Sequence, residues 1–194
     1  MNVSGLIVLL SLSAAHGALS QQLLTAAPQK TIPAGTGAAA DKFHQMLARS
    51  NGAWTGQATM TFSPGAPPIT STSTLTNTMV MGGLYQLSEI NYNINGQRIT
   101  GVRVTGYDAN KQIFTRAMIQ DGGNGVAMEG PWDDASKSIT MRYKQRNSST
   151  GTETEMKEVY TIVDENTEVL EIYRQDPKAQ KEFKILNVKW TRNK

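Results

Sequence analysis

The chain has no cysteine among its 194 residues. That excludes a disulfide framework, thiolate metal sites and a lipidated cysteine at the end of a leader. Histidine is almost as scarce. There are two, and His16 lies in an N-terminal apolar stretch, which leaves His44 alone in the rest of the chain. A lone histidine lacks the partners that zinc or iron sites require, and a nucleophilic triad has no base to draw on. Charge is also modest, at +3 overall. That total is small for phosphate binding, so a nucleic-acid surface is not expected. Long hydrophobic runs are missing too. The longest apolar core, from Leu6 to about Ala15, is too short to span a bilayer.

That short core is followed by small residues at Ala15, Gly17, Ala18 and Ser20. The pattern predicts a secretory signal peptide over residues 1–20, although no Lys or Arg precedes the apolar core. It also predicts export to the periplasm or beyond, with no membrane span after leader removal. Residues 21–37, rich in Ala, Gly, Thr and Pro without periodicity, read as a flexible linker. Residues 38–194 read as one domain. Its start, "AAADKFHQMLARS", places Phe43, Met46 and Leu47 on one stripe of a short helix, and "SNG" ends it.

From Ala53 the apolar period changes to two. Trp54, Gly56, Ala58, Met60 and Phe62 share one face, and "SPGAPP" breaks the chain after them. Ser88, Ile90, Tyr92 and Ile94 share a face and run into Asn95-Gly96, a strong hairpin signal because both turn residues need positive φ. Further alternating runs follow, "VAMEGPW" among them. They are separated by turn residues such as "DANK", "GGNG", "DDAS", "NSSTG", "DENT" and "DPKAQ". The reading is all-β: a single antiparallel meander of about ten strands, with one short N-terminal helix. So many strands curl, and closure into a barrel removes the exposed edges.

The acidic stretch from Glu153 to Glu171, which includes Glu158 and Glu168, precedes the basic C-terminal segment. Neighbouring strands would set these charges against each other across the ladder. Asp121, Asp133 and Asp134 lie in turn-forming contexts, which favours turn chemistry over paired-carboxylate catalysis. The glycines of "GGNG" lie between strands and open no helix, so they form no phosphate cradle. No cofactor motif is present and no catalytic constellation is legible.

Several motifs recur in a fixed order: "GAWTG" at Gly52, "MGGLYQL" at Met81, "TGYDANKQIF" at Thr105, "QDGGNG" at Gln120, "MEGPWD" at Met128 and "VKWTR" at Val188. Together they resemble the bacterial domain-of-unknown-function 1579 family over about Phe43 to Arg192. That resemblance implies a lipocalin-like, or calycin, barrel and supplies no activity. The Gly-x-Trp also resembles the lipocalin fingerprint, in which an early Trp closes one barrel end beneath an Arg of the last strand. Gly52, Trp54 and Arg192 would fill these roles here, with Arg174 the other candidate cation and Gly56 leaving room above the indole.

A small barrel can hold one ligand. The candidate lining is Met60, Tyr92, Arg116, Met118, Met141 and Tyr143, with Met81, Tyr85 and Tyr173 in the same Met- and Tyr-rich set. Methionine adapts to irregular apolar shapes, and an inward Arg116 suits a carboxylate. The expected function is non-catalytic binding of a small apolar molecule. Two alternatives stay open. One is an envelope or interaction protein with a filled barrel; the other is a haem-binding or enzymatic barrel using His44. Ligand identity and oligomeric state are not legible.

Overall fold

The computed structural model describes residues 38–194 apart from 95, 122–123, 147–149 and 177–180. The leader, the linker, Asn95, the first half of "GGNG", the "NSS" turn and most of "DPKAQ" lie outside the described residues. Helix α1 (Ala38–Arg49) is followed by eleven strands: β1 (Gly52–Met60), β2 (Ile69–Val80), β3 (Tyr85–Ile94), β4 (Gln97–Asp108), β5 (Ile113–Gln120), β6 (Asn124–Gly130), β7 (Trp132–Asp133), β8 (Ser138–Arg146), β9 (Glu153–Asp164), β10 (Thr167–Asp176) and β11 (Lys181–Arg192). Among the described residues every pairing is antiparallel, all but two join sequence neighbours, and those two close the barrel. First strand pairs with last, β1 with β11, and β6 meets β8 through Glu129 and Arg142. Ten strands therefore form a closed meander, with β7 outside the ring on the edge of β8.

Period two accounts for the inward face. Along β1, Trp54, Gly56, Ala58 and Met60 are buried while the residues between them are exposed. The strand stops at Met60, and Phe62, expected on the same face, is 60% exposed. "VAMEGPW" also departs from the expected single strand. Pro131 has no N–H to give to a ladder, so the run splits into β6 and β7. At the break a Cβ on Gly130 would run into the Thr140 carbonyl, so only glycine lets β6 approach β8 this closely. Gly96 leaves the β3–β4 turn at φ +81° and donates its N–H to Asn93 Oδ1 at 3.0 Å.

The barrel has two unlike ends. Helix α1 caps the end where β1 begins. Its buried Leu47 and half-buried Phe43 pack on the core, and the Phe43 ring lies 4.4 Å from Tyr107 and 5.3 Å from Phe114. The last turn of α1 leaves carbonyls unsatisfied, and barrel side chains complete them. Gln86 donates to Leu47 O at 2.6 Å, and Asn77 to Ser50 O at 3.0 Å. Below this cap lie Trp54, Trp190 and Phe114, all essentially inaccessible. At the opposite end no helix covers the strands among the described residues.

Candidate functional site

The interior of the barrel is more polar than its methionine content suggests. Arg103, Thr105, Arg116, Glu158 and Glu168 are all buried. Each lies on an inward face, because alternation along β4, β5, β9 and β10 sets it beside buried neighbours such as Phe114, Tyr160 and Leu170. Arg116 forms an ion pair with Glu158 across the barrel, and its Nε donates to Thr105 Oγ1 at 2.9 Å. Its guanidinium also lies 5.5 Å from the Tyr160 ring centroid. Burial, followed by the like charge of Arg103, brings Arg116 down to about 9, which leaves it charged at neutral pH.

Glu168 belongs to a second network nearer the cap. Ser50 Oγ donates to it at 2.6 Å, and the Tyr160 hydroxyl donates to its other oxygen. Burial pushes the Glu168 carboxyl up, against the pull of these two donors. Burial and the neighbouring Glu168 likewise push the Tyr160 hydroxyl far up, so it serves as a donor. Arg103 differs from all of these. It is 3% exposed, its Nε is enclosed without a partner, and it donates no hydrogen bond among the described residues.

Two adjoining hollows open toward the end of the barrel away from α1. The larger, about 390 Å³, reaches from the rim at Gln97 and Asp121 down to Arg103, Glu158 and Leu170. The smaller, about 200 Å³, is bounded by Tyr143, Val126 and Met156. They share Met60, Met118, Gln120, Ile172 and Leu186. Apolar walls around a few convergent polar groups are the usual form of a small-molecule site. A bigger hollow, about 800 Å³, lies beside the cap between Arg49, Asp164, Glu165 and Arg192. Its buried acid, Glu168, already has two donors.

The residues singled out from sequence fall into distinct places. Met60, Tyr92 and Met118 line the larger hollow, and Tyr143 the smaller. Burial, first of all, raises the hydroxyls of Tyr92 and Tyr143, the latter up to about 12. Met141 is buried and lines neither hollow. Arg116 is inward but already committed to Glu158. Met81 is 73% exposed, Tyr85 is exposed, and Tyr173 packs against Lys157 and Lys184; none of the three belongs to the cavity.

At the capped end, Trp54 Nε1 donates to Ser50 O at 2.9 Å, and the Arg192 guanidinium lies 4.1 Å from the indole centroid. Arg192 also donates to Arg49 O and Asn51 O, both at 2.5 Å. Gly52, with φ +110°, turns the chain into β1 beside it. Arg174 instead donates to Phe62 O at 2.9 Å, near the open end. Gly56 makes room for a different indole from the one expected. It pairs with Trp190, and a Cβ there would come within 2.6 Å of that ring.

Sequence reasoning passed over Arg103, Glu158 and Glu168. Surface pairs do form between the acidic and basic segments, as Glu171 with Lys184 and Glu182 with Lys157, but Glu158 and Glu168 point inward. The missing signal was their company: Glu158 alternates with Met156 and Tyr160, and Glu168 with Leu170 and Ile172. His44 is half-buried in α1. Among the described residues no group of three or more metal-ligating side chains converges, and no helix is long and apolar enough to cross a membrane.

A protein-family model, described as a protein of unknown function and designated DUF1579, matches residues 39–192. No curated protein matches the sequence. Among solved structures, Rv2717c from M. tuberculosis superimposes with a TM-score of 0.60 at 13% identity, over 77% of this chain and 96% of that one. The S-type phycobiliprotein lyase CPES from Guillardia theta superimposes with a TM-score of 0.56 at 10% identity, over 78% of this chain and 93% of that one. At such identities the likeness is one of fold.

Proposed function

Since the chain belongs to the DUF1579 family, described as of unknown function, we propose that it is an exported, non-catalytic binding protein. Its ligand is a small amphipathic molecule held in the open end of the barrel. The observation that carries this reading is the double hollow walled by Met60, Met118, Ile172 and Leu186, with Arg103 unpartnered at its floor. A barrel evolved only to be filled would place apolar side chains there. The neighbour of similar fold from Guillardia theta is, by its description, a phycobiliprotein lyase, and it supports the reading only as a barrel of this shape. Flexible methionines on the wall suit a ligand of irregular shape.

Native mass spectrometry of protein purified without detergent tests the reading. The expected spectrum shows a non-covalent small-molecule adduct, or uptake of one equivalent of a fluorescent fatty acid by ligand-free protein. A bare mass with no uptake would contradict it. Export rests on the leader, and N-terminal sequencing of material recovered outside the cytoplasm checks whether the mature chain begins near residue 21. A chain that still begins at Met1 there, or that stays in the cytoplasm, would overturn export.

A second reading, an interaction protein, draws on a different observation. Val102 and Ile119 pair across β4 and β5 and are 40% and 64% exposed on the outer wall. It predicts the bare mass, together with a partner protein bound through that wall.

A further inference from the structure

Resting on the binding reading above, we propose that Arg103 anchors an anion site at the floor of the cavity, and that the ligand is a monocarboxylic acid with an apolar tail.

A guanidinium taken out of water is costly unless its donors are met. Arg103 is buried with its Nε enclosed, yet no hydrogen bond or ion pair reaches it among the described residues. The nearby acids are occupied. Glu158 holds Arg116, and Glu168 holds Ser50 and Tyr160. The side chain that sequence suggested for a carboxylate, Arg116, is therefore spent within the protein, and the free fork belongs to its neighbour. Antiparallel register sets the two side by side, with Arg103 opposite Met118 and Arg116 opposite Thr105.

Charge sets the valence of the ligand. Around the floor the one ion pair is that of Arg116 with Glu158, which leaves Arg103 without a paired carboxylate among the described residues. Glu168 lies toward the cap within electrostatic reach of both arginines, but its two oxygens are taken by Ser50 and Tyr160, and burial pushes its carboxyl up. A ligand with one negative charge balances the site, whereas a phosphate dianion would need a second free cation. The planar fork of arginine matches the two oxygens of a carboxylate. Tyr92 and Tyr143 stand by as further donors. Neither hydroxyl has a hydrogen-bond partner among the described residues, and both lie within electrostatic reach of Arg116. Above the floor the wall is Met60, Met118, Leu170, Ile172 and Leu186. The acid end is thus set low, with the tail running toward the open end.

Calorimetric titration with dodecanoate and dodecanol, equal in chain length and unlike in charge, tests this. The wild-type protein is expected to bind dodecanoate at least about tenfold more tightly than dodecanol. Arg103→Met is expected to lower dodecanoate affinity to about that of the alcohol and leave the alcohol unchanged. Arg103→Lys, which keeps the charge and loses the fork, falls between. The ligand-free Arg103→Met protein is expected to melt no lower than wild type, because an unpaired buried charge has been removed. Equal affinity of the wild type for acid and alcohol would overturn the anion site and leave the binding reading intact. Undiminished dodecanoate binding by Arg103→Met would do the same. Binding of neither compound would overturn both.

Discussion

Glu158→Ala is expected to lower stability by about 3–5 kcal/mol, the usual consequence of removing one member of a buried ion pair. The carboxylate is 1% exposed and is the ion-pair partner of Arg116. Its loss would leave Arg116 and Arg103 as adjacent buried cations with no anion between them. The double variant Arg116→Met with Glu158→Met removes both charges together. It is expected to recover most of the loss, since well-packed apolar replacements of buried pairs are often neutral or stabilising. Urea unfolding of the two variants and the wild type reads both numbers. A single variant within about 1 kcal/mol of wild type, the range of an exposed pair, would show that water reaches the barrel centre and that Glu158 is not committed as described.

Trp54→Ala is expected to cost about 3–5 kcal/mol, as emptying a buried aromatic site does, and to leave dodecanoate affinity unchanged. The indole is 1% exposed at the capped end, donates to the Ser50 carbonyl and lies under Arg192. The cation–π contact contributes about 0.5–2 kcal/mol of the total. Trp54 lines neither hollow at the opposite end, so its removal should loosen the seam between β1 and β11 without touching the ligand. Chemical denaturation paired with calorimetry separates the two effects. A variant as stable as wild type that no longer binds would move Trp54 from the fold to the site.

What was legible in the sequence follows from which interactions are local. Alternation along single strands, turn residues between them and the apolar stripe of α1 are short-range, and they led to the barrel and its single helix. The split of "VAMEGPW" was harder, because it depends on the close approach of Gly130 to the Thr140 backbone on another strand. The role of Gly56 depends on the register of β1 against β11, which sets it opposite Trp190, more than a hundred residues away in the chain.

The charged floor was the least legible part. A charge within a strand is most often solvated, and Arg116 and Glu158 lie 42 residues apart on strands that meet only across the barrel. Arg103 stands between Val102 and Val104 in "TGVRVTG". Reading valine as inward puts the arginine outside. In the barrel, Val102 lies on the outer wall and Arg103 points to the core. Both faces of β4 carry apolar residues, so hydrophobicity alone cannot set its orientation.

The claim that ligand enters the open end of the barrel is tested most directly by the protein's own methionines, nine in all. Met60, Met118 and Met156 line the hollows, whereas Met81 is 73% exposed on the outside. With methionine methyl groups isotopically labelled and resolved by NMR, addition of dodecanoate should shift the first three signals together and saturate at one equivalent. The Met81 signal should stay where it is. Movement of Met81 with the interior methyls unmoved, or no movement at any of the four, would contradict a ligand site inside the barrel.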